Sequence, residues 1–384
     1  MLSPQTDIVI IGGGIAGASA GAELARTHRV LVLEGEDAPG YHSTGRSAAV
    51  FSESYGNRAI RELTRASRHF FDQPPADFSA YALLKRRSWL HVASMSQASA
   101  LESFLATEDV AQRVSRVSPE EALALSPILR PETAAAGGAY EKDAADIDVD
   151  ALHRGYLKLL RQRGGTIVTG AQVTALARRA GQWILDSTAG AFRARVVVNA
   201  AGAWADRVAM LADIAPMRIQ ACRRTAVLVE PAALEISDSW PLTVDIEEAY
   251  YFKPDAGLLF VSPADETPVE PCDVQPEELD VAIAIDRLER ATGLTIARVR
   301  RKWAGLRSFA PDRAPVIGFD RSADGFFWLA GQGGYGIQTA PAAAALAAAL
   351  VRDEALPREL MDFDSTAVSP ARFSRNERAA DPRT

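Results

Sequence analysis

One pattern near the N-terminus limits what this chain can fold into more than any other: Gly12-x-Gly14-x-x-Gly17, directly after an apolar run over residues 7–11. Such a glycine pattern means little alone; its neighbours give it meaning. Residues 7–11 read as a strand buried on both faces, 15 to about 27 as a helix and 29–34 as a second strand, which together make a βαβ opening. Gly12 permits a tight turn, Gly14 lets the backbone approach a pyrophosphate, and Gly17 lets helix pack closely on strand. With Ile15 and Ala16 they turn uncapped amides and the positive end of the helix dipole toward phosphate. Glu34 ends the second strand, placed to accept hydrogen bonds from adenosine ribose hydroxyls, with Gly35 beside it. NAD and FAD both fit this much.

The rest of the chain favours the longer cofactor. The segment 40–47 follows at once, and its Ser43, Thr44, Arg46 and Ser47, with Ala48, offer amides, hydroxyls and a guanidinium beyond the first phosphate. A distant strand ending at Asn199 runs into Ala201, Gly202 and Trp204, small residues that allow close backbone approach. A third strand-glycine-helix block holds Gly333, Gly334, Tyr335, Gly336, Ile337 and Gln338. It supplies a second helix N-terminus, suited to the negative charge that develops on a reduced flavin. Val173 completes the set of cofactor-binding candidates. A rival motif, Gly17-x-Ser19-x-Gly21, matches a hydrolase nucleophile elbow, but Ser19 falls a turn inside a helix that Gly14 has already opened.

Composition excludes other classes. Among 384 residues, 42 Lys plus Arg against 49 Asp plus Glu leave a charge of −7, which argues against a nucleic-acid partner. The basic run 298–302 reads as a solvated face. The two cysteines, Cys222 and Cys272, lie in no metal or disulfide pattern, so no metal is expected and Cys222 reads as a structural thiol. No stretch reaches the ~20 apolar residues of a membrane span. No targeting segment is evident, and the expected location is cytoplasmic, or peripheral at the inner membrane.

The strand-helix alternation returns twice: a helix capped by Asp148 or Asp150 and running to 163, then strands at 166–168 and 193–199; and a strand at 326–330 leading to a helix from about 341 to 352. Between these blocks the pattern alternates with β period, and Pro254-Asp255-Ala256-Gly257 marks a hairpin. The expected fold is α/β: a Rossmann-like FAD-binding domain built from residues 1–81, 148–218 and 312–384, with a second β-sheet-rich substrate-binding domain from 82–147 and 219–311. A tail beyond Phe373 is expected to be mobile.

Seven segments carry a family resemblance: IGGGIAGASAGAEL, PGYHSTGRSAA, DIDVDALHRGYL, VVNAAGAWAD, YYFKPDAGLL, WAGLRSFAPDRAPVIG and GQGGYGIQT. With them the chain resembles the D-amino-acid oxidase superfamily of FAD-dependent amine oxidoreductases, and within it the bacterial D-amino-acid dehydrogenases of the D-arginine type. The resemblance implies hydride transfer from the Cα of a D-amino acid to flavin N5, giving an imino acid that hydrolyses to a 2-oxo acid and ammonia. It implies that Arg307 grips the substrate carboxylate, with Arg224 as a second arginine, Tyr251 as a phenol lining the site and Tyr55 on a loop that closes over substrate. Arg223 and Arg224 point to opposite strand faces, and Arg224 is the one expected in the pocket. An ion pair of Arg307 with Asp312 is the bland alternative.

Two departures bear on specificity. Val50 stands where D-arginine-directed members carry a histidine, and Trp89 where they carry a carboxylate, so a neutral or apolar side chain is expected. Ser308 and Phe309 follow the GLR segment where covalently flavinylated relatives have a cysteine, so the FAD is expected to be noncovalent. The partner is a small amino acid; the electron acceptor stays open between a quinone, an electron-transfer protein and O2. Two alternatives remain: oxidation of secondary amines such as N-methyl or opine-like amino acids, and a flavoprotein subunit with little turnover of its own.

Overall fold

The structure is a computed structural model that describes residues 6–232 and 234–373. Its first layer is a six-stranded sheet in the order Val316–Phe319, Phe326–Ala330, Val196–Asn199, Ile8–Ile11, Val30–Leu33 and Thr166–Val168. All pairs are parallel except that of Val316–Phe319 with Phe326–Ala330. The central strands are buried on both faces, as their unbroken apolar runs require. The helices Ile15–Leu24, Val149–Gln162 and Gly336–Arg352 pack on one face through Leu24, Leu160 and Leu346. The other face carries Trp328, Val197 and Phe326 beneath the three-stranded antiparallel sheet of residues 173–194.

The second layer is a larger mixed sheet, dominated by the pairing of Gln220–Pro231 with Ile296–Phe309. It continues through Leu258–Ser262, Tyr251–Asp255, Leu242–Asp245, Trp89–Ala93 and Gly137–Glu141. Asp255 pairs with Leu258, so the expected hairpin turns on Ala256 and Gly257, both at positive φ (50° and 79°). A small sheet of Val50–Phe51, Ala145–Ile147 and Leu84–Arg86 joins the two layers.

Several boundaries differ from expectation. The first helix ends at Leu24, and the stretch 193–199 is two strands, Gly190–Ala194 and Val196–Asn199, parted at Arg195. Asp148, not Asp150, caps the helix Val149–Gln162, its side chain accepting from the Ala151 amide. The C-terminal helix begins at Gly336, not near Pro341. Pro341 is tolerated inside it because the Ala342 amide donates to Ser67 Oγ of a neighbouring helix, which satisfies a group the proline disturbs. The intervening blocks also hold helices, chiefly Glu278–Thr292. The basic run lies exposed on the first half of Ile296–Phe309, with Arg300 and Lys302 paired to Glu230 and Glu278. Residues beyond Phe373, where a mobile tail was expected, lie outside the described ones.

Candidate active site

A cleft of about 730 Å³ runs from the carboxyl ends of the parallel strands to one face of the large sheet. At the strand ends its walls are built from glycine. A Cβ on Gly12 would lie 2.4 Å from the Ala200 carbonyl oxygen, and one on Gly17 would lie 1.9 Å from the Gly12 oxygen, so neither position admits a side chain. Gly12, Gly14, Ile15 and Ala16 line the cleft; Gly17 stands behind it and packs helix on turn, as its role demands. Gly14 caps the helix Ile15–Leu24 with no side chain, and no acidic residue occupies the first turn, so that helix end favours an anion.

Glu34 lines the groove with Gly35, its Oε2 accepting from the Gly13 amide at 2.7 Å and its Oε1 from the Glu36 amide at 2.9 Å. Each oxygen keeps a free lone pair for a hydroxyl donor. Ser43, Thr44, Arg46, Ser47, Ala48, Val173, Ala201, Gly202 and Trp204 line the same groove. Two do more than line it: Thr44 Oγ1 accepts from the Ile15 amide at 3.0 Å, and Ser43 Oγ donates to the Leu306 carbonyl at 2.8 Å. The Arg46 guanidinium is engaged by the Val274 carbonyl and Asp273, so its hydrogen bonds tie the groove to the second layer. Gly333, Gly334, Gly336 and Ile337 close the far end, while Tyr335 and Gln338 stand outside the lining.

The remaining part of the cleft follows from strand period. Arg307 pairs with Cys222, Gly305 with Arg224 and Trp303 with Ala226, so these alternate residues share one sheet face. Continuing across the sheet, Phe260, Tyr251, Val244, Leu242 and Trp89 line the same cleft. Arg223 points to the opposite face and pairs with Asp280 and Glu277, whereas Arg224 lines the cleft and pairs with Glu266 at 3.1 Å.

Arg307 has no carboxylate partner among the described residues. Asp312 is taken by Arg372 at 2.7 Å, and the Arg307 Nη1 donates instead to the Tyr55 hydroxyl at 3.1 Å. Burial works against the guanidinium's charge, but Tyr55, Tyr251 and Tyr335 around it push its pKa up by more, so it stays cationic. Burial raises the Tyr55 pKa, whereas Tyr251 is pulled below its ordinary value because Arg307 and Arg224 outweigh burial. A Cβ on Gly334 would lie 2.6 Å from Arg307 Cζ, so that glycine makes the space in which the guanidinium stands.

Sequence reading missed four residues here. Glu248 lines the cleft mouth at φ 56°; crowding by protein pushes its carboxyl pKa up, against the pull of Arg307 and Arg224. His153 Nε2 lies 2.8 Å from the Gly13 carbonyl oxygen, so that nitrogen carries the proton and braces the glycine turn. His42, tilted over Trp204, contacts Glu36 at 2.8 Å. Glu141 is buried behind Tyr55. His42 and His153 lie within quoted segments, but nothing in those segments marks the two side chains, and Glu248 and Glu141 belong to no motif. Cys222 is buried and burial pushes its thiol pKa up, as for a structural cysteine. Among the described residues no group of three or more His, Cys, Asp or Glu is arranged for a metal, and no helix is long and apolar enough to cross a membrane.

A dinucleotide groove opening onto a sheet face that presents, among aromatic rings, a guanidinium with no carboxylate partner among the described residues is the arrangement of a flavin-type oxidoreductase. The model of the DAO family, FAD dependent oxidoreductase, matches residues 7–350, and the chain belongs to that family. It is 25% identical over 390 residues to the glycine oxidase of Geobacillus kaustophilus, spanning 95% of this chain and 98% of the relative. It is 25% identical over 218 residues to the hydrogen cyanide synthase subunit HcnC of Pseudomonas aeruginosa, where the match spans 56% of this chain and only 51% of HcnC. Among solved structures, the Geobacillus kaustophilus glycine oxidase superposes with a TM-score of 0.82 at 20% identity, over 97% of this chain and all of the other. The L-amino acid deaminase of Proteus vulgaris does so with 0.79 at 14% identity, over 97% and 98%. These likenesses establish the fold, and FAD is the cofactor. The groove fits it: glycines that tolerate no Cβ, two helix N-termini free of acids and a ribose-side carboxylate lie along one continuous cleft.

Proposed function

We propose that the protein catalyses FAD-dependent oxidative deamination of a D-amino acid with a neutral or apolar side chain. The observation that carries this reading is the Arg307 guanidinium, which has no carboxylate partner among the described residues and is held by Tyr55 in an aromatic cleft. A planar guanidinium takes a carboxylate through two parallel hydrogen bonds, and Arg224 and the Tyr251 phenol stand on the same sheet face to complete the grip. When bound, FAD supplies the two-electron acceptor for the hydride leaving Cα. The chain's own work is orientation: it fixes the acid, keeps the Cα in line and shields it from water. The side-chain region holds Trp89, Leu242, Val244 and Phe260, which suits an apolar group. The D-configuration rests on the resemblance of the motif segments to D-amino-acid dehydrogenases. The reading assigns residues 1–81, 148–218 and 312–384 to the cofactor side and 82–147 with 219–311 to the substrate side.

A second reading, oxidation of glycine or of N-substituted amino acids, has the same support from Arg307, because the grip reads only a carboxylate. Anaerobic mixing of the FAD-loaded protein with D-Phe, D-Met, D-Arg, glycine, sarcosine and L-Phe separates them. Flavin bleaching is expected to be fastest with D-Met or D-Phe; a preference for D-Arg, L-Phe, glycine or sarcosine sinks the first reading. Arg307→Lys is expected to raise the half-saturating concentration by about 100-fold, on the order of 3 kcal/mol, while FAD stays bound. Acid denaturation is expected to release the yellow colour into solution, since no cysteine stands at positions 308 or 309.

A further inference from the structure

Behind the substrate end of the cleft lies a carboxylate that the grip itself does not use. Glu141 ends the strand Gly137–Glu141, is 2% exposed and forms no ion pair with a described residue. Three donors from one short segment converge on it. Ser52 Oγ and Ser54 Oγ donate to Oε2 at 2.7 and 2.5 Å, and the Glu53 amide donates to Oε1 at 2.8 Å. The same segment is held from the opposite side, where the Ser52 amide donates to Gln338 Oε1 at 3.1 Å. Tyr55 is the next residue along. Its ring packs between Trp89 and Tyr335, with centroids 5.0 and 4.8 Å away, and its hydroxyl accepts from Arg307. Trp89 and Glu141 are partners across one strand pair, so the ladder that puts the indole against the Tyr55 ring also puts the carboxylate behind the Tyr55 backbone.

Burying a carboxylate without a cation is costly, and a strand end needs none. What a carboxylate offers is acceptance: two oxygens that donate nothing and take all three donors at once, which a glutamine of the same size cannot do. We propose that Glu141 is a positioning residue, clamping residues 52–54 so that the Tyr55 hydroxyl meets Arg307 and sets the guanidinium for the substrate carboxylate. The Tyr55–Arg307 bond joins two segments 252 positions apart, and residues 52–56 form no strand or helix apart from their link at Phe51, so the clamp supplies the order that secondary structure does not.

The substrate half of this proposal rests on the amino-acid reading above, and the test separates the two. In FAD-loaded protein without substrate, Glu141→Gln is expected to speed amide-hydrogen exchange at residues 52–56 by about tenfold or more while exchange in the central strands is unchanged. In anaerobic bleaching with the best amino acid, the same variant is expected to raise the half-saturating concentration about tenfold and to change the limiting rate less than about twofold. Adding Glu141→Gln to Tyr55→Phe is expected to cost nothing further, because both act through one contact. Unchanged exchange at 52–56, or additive losses in the double variant, overturns the proposal. If Glu141→Gln does not fold, Ser54→Ala removes a single donor, leaves the Glu53 amide bond in place and is read in the same way, with the same outcomes deciding. Should no amino acid bleach the wild type, the functional reading falls, and the exchange comparison still decides the clamp.

Discussion

Arg307 and Arg224 sit among the many arginines of this chain, and nothing local marks them out; their partners do. Arg223 is consumed by Asp280 and Glu277, Arg224 keeps one acid, and Arg307 keeps none among the described residues. Strand alternation separates Arg223 from Arg224 in advance, but the loss of Asp312 to Arg372 is a tertiary event. The same scale holds an unusual histidine. His91 is 4% exposed, its ring packs on Trp89 and Phe104, and neither nitrogen has a hydrogen-bond partner among the described residues. Burial alone pushes its pKa down to about 3. The folded state then binds no proton where the unfolded chain, near 6.5, binds one, so stability is present above that value and falls as pH drops toward 3. The slope contributed is at most about 1.4 kcal/mol per pH unit. His91→Phe is expected to flatten it, and urea midpoints at pH 7 and pH 5 check this; an equal pH dependence in the variant refutes the assignment.

At the scale of elements, the glycine turns act through sterics. Gly12 has φ 106° and no space for a Cβ, and Gly334 has no space because Arg307 occupies it. The two should therefore fail differently. Gly12→Ala forces the first strand end against Ala200 and is expected to yield protein without FAD, or none folded. Gly334→Ala is expected to keep FAD and to weaken amino-acid binding by about tenfold, through a displaced guanidinium. Visible absorbance of the purified variants, followed by substrate titration, tells them apart. The helix that follows Gly334 begins five residues before the proline that marks a start in the sequence. Proline favours a first helical turn on average, but here the glycine turn opens straight into the helix, and Ser67 from a distant helix accepts the amide left over at Ala342. No local signal could carry that.

At the scale of the molecule, the cleft crosses from one layer to the other, and ion pairs are among the links across it. Residues 263–278 contain six acids and no lysine or arginine. Among them Asp273 pairs with Arg46 and Glu270 with Arg207, both cleft-lining arginines. Exposed pairs of this kind each contribute little, about 0–1 kcal/mol, so the cofactor that fills the cleft should be the stronger tie. Free FAD at about 100 times its dissociation constant is expected to stabilise the fold by about 2.7 kcal/mol, and calorimetry of the apoprotein with and without added FAD reads this as a rise in transition temperature. An unchanged transition would mean that FAD does not bind across the cleft. The amino-acid sequence alone determined the dinucleotide groove, because strand, glycines, helix and acid there are neighbours in the chain and obey local sterics. It also separated Arg223 from Arg224 onto opposite strand faces, since that needs only a period of two. The tertiary structure decided the rest: that Arg307 has no carboxylate partner among the described residues, that Glu141 stands behind Tyr55, that Glu248 reaches the cleft and that His153 braces the glycine turn. Each of those depends on which distant segments meet, and a residue's charge is spent or kept according to the partner that packing brings beside it.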